Sequence, residues 1–139
     1  MEKVLICYWS GTGNTEIMAN AIEQGCLESA DVTLATSAES PSVEGYDRVI
    51  FGCPSMGDEV LEESEFEPWF SSIETQLSQK KIALFGSYGW GDGQWMRDWE
   101  ERVMTLGVDL YEPTLIMNYT PDATQTEECV QYGRDFMKY

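Results

Sequence analysis

The chain has 139 residues, with 25 Asp plus Glu, 8 Lys plus Arg and no His, for a formal charge of −17. That length suits one domain, residues 1–139, and 42% hydrophobic residues can fill its core. The lack of His removes a Ser-His-Asp triad, a Cys-His pair and His-ligated zinc, and the charge repels nucleic acid and anionic membrane surfaces.

Residues 4–9 form a continuous apolar block, as in a strand covered on both faces. The block is too short for a signal peptide, and no stretch approaches the ~20 apolar residues of a spanning helix, so a cytoplasmic protein is expected. Residues 15–27 follow with Ile17, Met18, Ala21, Ile22 and Cys26 at helical spacing. Residues 31–35 read as a second strand, and 37–45 as an irregular connection.

Residues 48–53 read as a third strand ended by Pro54, with a helix near 66–77 beyond the next loop. A fourth strand is expected at 81–87, and a helix at 94–106 with Trp95 and Trp99 inward. A fifth strand lies within 108–117, and the last helix spans 127–138, starting a little earlier. Strands and helices alternate, which predicts a parallel α/β sheet with helices on both faces and a ligand beyond the carboxyl ends of the strands. Cys7, Cys26, Cys53 and Cys129 form no CxxC and read as reduced, mostly buried thiols.

The loop after the first strand is Ser10, Gly11, Thr12, Gly13, Asn14 and Thr15. Two glycines, three hydroxyls, an amide and a helix start make a phosphate cradle. Glu16 stands where a dinucleotide fingerprint needs Gly, and a Walker lysine is absent. No Lys or Arg occurs from position 4 through 47, so a bound phosphate is held by neutral hydrogen bonds.

Ser55, Met56, Gly57, Asp58 and Glu59 follow the third strand, and Gly89, Trp90, Gly91, Asp92 and Gly93 the fourth. A Trp between glycines offers a flat face, and a polarizable Met on the facing loop completes a sandwich. A planar aromatic ligand with a phosphate tail fits these loops together.

These three motifs, in this order and over nearly the whole chain, resemble the flavodoxins. Residues 56–64 and 83–91 are similar to those of the short-chain flavodoxins of anaerobic bacteria. The resemblance implies a three-layer fold with a five-stranded parallel sheet of order 2-1-3-4-5, and non-covalent FMN. It implies that Ser10, Gly11, Thr12, Gly13, Asn14 and Thr15 hold the phosphate, and that Met56 and Trp90 cover the ring. It also implies that the Gly57–Asp58 peptide meets flavin N5 and that the Glu59 carboxylate accepts from N3–H. Ser87, Gly89, Gly91 and Asn118 are further ribityl and ring contacts, and Ser55 stands in for a hydroxyl that some relatives carry at the position of Pro54. Trp9 lies behind the cradle.

The implied function is a low-potential one-electron carrier, not an enzyme, shuttling mainly between semiquinone and hydroquinone and able to stand in for ferredoxin. An FMN-dependent reductase is the alternative. Gly57 would let its peptide turn a carbonyl toward a protonated N5. Carboxylates fill six of the ten positions 58–67. At ~10 Å each opposes an anionic reduced flavin by roughly 0.4–1.7 kcal/mol, or about 20–70 mV. Glu62, Glu63, Glu65 and Glu67 read as a solvated face. The expected partners are enzymes that use ferredoxin, docking transiently through basic surfaces on a monomer.

Overall fold

The apolar block becomes β1 (Glu2–Tyr8) in a computed structural model that describes residues 2–139. Alternate side chains of β1 serve two cores, as the period of a strand demands. Leu5 and Cys7 face one helical layer, and Val4, Ile6 and Tyr8 the other. The remaining elements are α1 (Asn14–Leu27), β2 (Ala30–Thr36), β3 (Arg48–Gly52), α2 (Phe66–Ile73), β4 (Lys81–Tyr88), α3 (Gln94–Met104), β5 (Asp109–Leu110), β6 (Leu115–Asn118) and α4 (Ala123–Phe136). Short 3-10 turns follow β2 (Ser37–Glu39) and α2 (Glu74–Gln76).

The sheet has the expected order β2-β1-β3-β4-β5, all parallel. Its last member is interrupted. β5 pairs with the start of β4, and β6 with its end, Phe85 through Tyr88. Pro113 lies in the gap, and a residue with no N–H cannot carry a ladder across it.

Helices α1 and α4 cover one face, where Met18, Ile22, Cys129 and Phe136 meet Ile6, Ile50 and Phe85. They cross closely enough that a Cβ on Gly25 would stand 1.9 Å from the Val130 carbonyl oxygen, and one on Gly133 2.2 Å from that of Ile22. Helices α2 and α3 cover the other face with an aromatic cluster. Phe66 and Phe70 stack at 5.8 Å, and Trp99 stands edge-on to both. Trp95 and Trp99 are core residues, 1% and 2% exposed. All four cysteines are buried and unpaired, and burial pushes the Cys26 and Cys129 thiols up to about 12. No helix among the described residues is long and apolar enough to cross a membrane.

Helix α4 begins at Ala123 rather than near 127 because Asp122 caps it. The Asp122 carboxylate accepts from Gln125 N–H at 2.8 Å, and the Gln125 side chain accepts from Asp122 N–H at 3.0 Å. This reciprocal box satisfies two donors at the helix start.

Candidate functional site

The carboxyl ends of β1, β3, β4 and β6 lie side by side, and the loops leaving them enclose a cavity of about 310 Å³. It is lined by Ser10, Gly11, Thr12, Asn14 and Thr15, by Ser55 and Met56, and by Ser87 and Gly89. Trp9, Pro54, Tyr88 and Tyr119 complete it. The three loops singled out from sequence therefore converge.

The first loop is organised by its own hydroxyls. Ser10 Oγ accepts from Gly13 N–H at 3.1 Å and Glu16 N–H at 3.3 Å, which leaves its proton free to be donated. Gly13, at φ 99, precedes the first turn of α1 and caps it without a side chain. Thr15 and Ser87 are buried in the floor, their hydroxyls 2.9 Å apart. Trp9 does not sit behind the cradle. Its ring lies against Gly11 and lines the cavity, and its Nε1–H donates to Glu65 Oε1 at 2.8 Å.

The second loop turns back on itself as a short hairpin. Met56 N–H donates to the Val60 carbonyl at 2.9 Å, and Glu59 N–H to that of Met56 at 2.7 Å. The left-handed residue of this turn is Glu59, at φ 54. Gly57 is outside that region, and a Cβ built on it meets nothing within 4 Å. The backbone freedom expected of Gly57 is thus not used in this conformation.

Glu59 packs against the third loop. Gly91 has φ 85, and a Cβ there would lie 2.2 Å from Glu59 Oε1. That oxygen is buried and without a protein partner. A buried carboxylate oxygen of this kind calls for an N–H donor. Trp90 is 61% exposed and stands outside the cavity lining, as do Gly13, Gly57, Asp58, Glu59, Gly91 and Asn118. Arg97 fixes the same loop through Asp92, 2.8 Å to Oδ1 and 3.0 Å to the carbonyl, and holds the Asp92 carboxyl below its usual range.

The loop after β6 was not singled out from sequence. Asn118 spends its amide on the carbonyls of Tyr88, at 3.2 Å, and Gly89, at 3.5 Å, so it straps two loops together. Thr120 Oγ donates to Asn14 Oδ1 at 2.8 Å, tying this loop to the cradle. Tyr119 lines the cavity, 61% exposed at φ 60. An exposed aromatic directly beyond a strand's carboxyl end was the available signal.

The acidic run is not one solvated face. Glu62 is 5% exposed, and its carboxylate accepts from the N–H groups of Ser64, Glu65 and Phe66 and from the Ser64 hydroxyl. Burial alone would raise its pKa, but these donors together hold it below the usual glutamate value. Glu65 engages Trp9. Glu67 takes both Nη atoms of Arg102 at 2.7 Å, and that pairing lowers its pKa. Asp58 and Glu63 are exposed.

Comparison with known proteins agrees with this arrangement. The flavodoxin family profile matches residues 6–133. The chain is 48% identical over 132 residues to the flavodoxin of Clostridium beijerinckii, covering 93% of this chain and 95% of that one. It is 42% identical over 133 residues to the flavodoxin of Megasphaera elsdenii, covering 94% and 95%. The solution structure of two-electron reduced Megasphaera elsdenii flavodoxin superposes with a TM-score of 0.85 over 98% of this chain and 99% of that one. Oxidised flavodoxin 1 of Bacillus cereus, 26% identical, gives 0.88 over 99% of both. The four converging loops and these likenesses lead to one conclusion: the chain belongs to the flavodoxin family and is an FMN-binding electron carrier rather than an enzyme.

Proposed function

We propose that this carrier works at low potential and delivers one electron at a time to enzymes that otherwise use ferredoxin. The observation that carries the reading is the buried, unpartnered Glu59 Oε1 held against Gly91 at the edge of the neutral cradle. Bound FMN supplies a ring that accepts electrons singly, and the residues fit its parts. Ser10, Gly11, Thr12, Gly13, Asn14 and Thr15 hold the phosphate by hydrogen bonds alone, with Ser55 and Ser87 beside them. Met56 and Trp90 flank the ring, and Glu59 Oε1 accepts its N3–H.

Gly57 would leave the Gly57–Asp58 peptide free to turn its carbonyl toward flavin N5, where it would accept from a proton held at that atom. Asp58, Glu63 and the unneutralised phosphate oppose the charge that the second electron brings. Asn118 acts as the strap that holds Gly89 in place, and Tyr119 closes the ribityl side.

Partners dock transiently through basic surfaces against the acidic rim of a cytoplasmic monomer. Stepwise reduction followed by visible absorbance tests the reading. Two separated one-electron steps, the second at low potential, are expected; a single two-electron step, or a protein that takes up no FMN, would overturn it.

A further inference from the structure

Glu62 lies in a run of carboxylates, yet its environment is that of a core residue. Its Oε1 accepts from Glu65 N–H at 2.7 Å and Phe66 N–H at 2.8 Å. Its Oε2 accepts from Ser64 N–H at 2.9 Å and from the Ser64 hydroxyl. Helix α2 has no side-chain cap from Glu65, the residue before its first turn, so Glu62 supplies the acceptors from three positions upstream.

The main chain of Glu62 is tied just as firmly. Its N–H donates to Cys53 Sγ at 3.4 Å, directly beyond β3, and its carbonyl accepts from Glu67 N–H at 2.8 Å. One residue therefore joins the end of β3 to the first turn of α2. The intervening hairpin, closed by the Met56–Val60 bridge, carries Gly57, Asp58 and Glu59 and is anchored at that junction. A free acidic side chain would remove the four carboxylate bonds of this junction and leave the main-chain bonds to Cys53 and Glu67.

We propose that Glu62 is a positioning residue for electron transfer: its carboxylate fixes the Met56–Val60 hairpin and so sets how the Gly57–Asp58 peptide and Glu59 face the flavin. The proposal rests on the site reading given above. It differs from a charge effect in what it moves. A carboxylate acting as a charge shifts mainly the second reduction and is screened by salt, whose Debye length is about 3 Å at 1 M. A carboxylate acting as an anchor also shifts the first reduction, where the N5 hydrogen bond forms, and salt leaves that shift in place. Replacing Glu62 by Gln puts an amide donor among N–H groups that need acceptors, which leaves buried donors unmatched.

The test compares holoprotein variants Glu62→Asp, Glu62→Gln and Glu63→Gln. Both one-electron potentials are measured at low salt and at 1 M salt, together with hydrogen exchange at the amides of Ser64, Glu65 and Phe66. Glu62→Asp keeps the charge and shortens its reach. It is expected to change the equilibrium constant of the first step about tenfold, or ~59 mV, at both salt concentrations, with faster exchange at the three amides. Glu63→Gln is expected to move only the second step, by an amount that 1 M salt removes. Should Glu62→Gln fail to hold FMN, Glu62→Asp still decides. An unshifted first potential in Glu62→Asp, or Glu62→Gln and Glu63→Gln behaving alike at both salt concentrations, would overturn the proposal. A wild-type protein without two one-electron steps would instead overturn the reading of the site.

Discussion

In the proposed site, Gly91 and Gly57 matter for opposite reasons. Gly91 is required by the observed conformation, since a Cβ there would enter the Glu59 carboxylate at a left-handed φ. Gly91→Ala is expected to cost about 1–2 kcal/mol in backbone strain alone and to weaken FMN binding roughly tenfold, measured by titration of the apoprotein. Gly57 has room for a side chain, so Gly57→Thr should still bind oxidised FMN. Its effect should appear on reduction, as a narrower gap between the two midpoint potentials; an unchanged gap would contradict the peptide rotation. Both glycines, with the cradle, Met56 and Trp90, stand out in the sequence because local motifs carry them, and of these residues Ser10, Gly11, Thr12, Asn14, Thr15 and Met56 come to the cavity wall. Glu62 and Tyr119 were not. The surroundings of Glu62 in sequence are acidic, and its burial arises only when the chain from β3 folds back onto α2. Tyr119 lies beyond a strand that the sequence blurs.

At the scale of elements, strands β1, β3 and β4 and helices α1 and α3 announce themselves by periodicity. The fifth strand is visible only as lying within 108–117; its division is not, because β5 and β6 are only two and four residues long and pair with different parts of β4. The start of α4 was written in Asp122 and Gln125, a cap signal stronger than the weak apolar pattern behind it. The start of α2 carries a pH prediction. Glu62 and Glu67 both have depressed pKa values, through Ser64 with the backbone donors and through Arg102. A depressed folded-state value means that their contribution is complete above the ordinary value of 4.5. It is lost as the pH falls below that through the lowered values. Urea unfolding midpoints should fall over this range, and the fall should be shallower in Glu67→Gln than in wild type.

For the whole molecule, a charge of −17 governs encounter more than affinity. Glu67 is paired with Arg102, so the exposed carboxylates Asp58, Glu63 and Glu65 and those of α3, Asp98 and Glu101, are the ones to read. Electron transfer to a basic partner at sub-saturating concentration should slow steadily as salt rises, because screening weakens steering. A rate independent of ionic strength would remove electrostatics from recognition. Contacts between the two ends of the chain lead to a second prediction. Gly25 and Gly133 let α1 and α4 meet backbone to backbone. Gly133→Ala should overpack this crossing and lower stability by about 1–3 kcal/mol, read as a drop in the urea midpoint.

The same crossing sets a timetable for biosynthesis. The face of β1 formed by Val4, Ile6 and Tyr8 is covered by α1, and the inner stripe of α1 by α4. The inner stripe of α1 is made well before α4, and its cover is complete only when residue 136 has been made. Until then α1 covers its own part of that face and its outer groove stays bare. At translation rates of about 5–20 residues per second, the wait from residue 27 to residue 136 is on the order of 5–20 seconds. The other face closes earlier, once α3 is complete at Met104. The α1/α4 face therefore closes after the α2/α3 face, and it is most open to aggregation while α4 is being made.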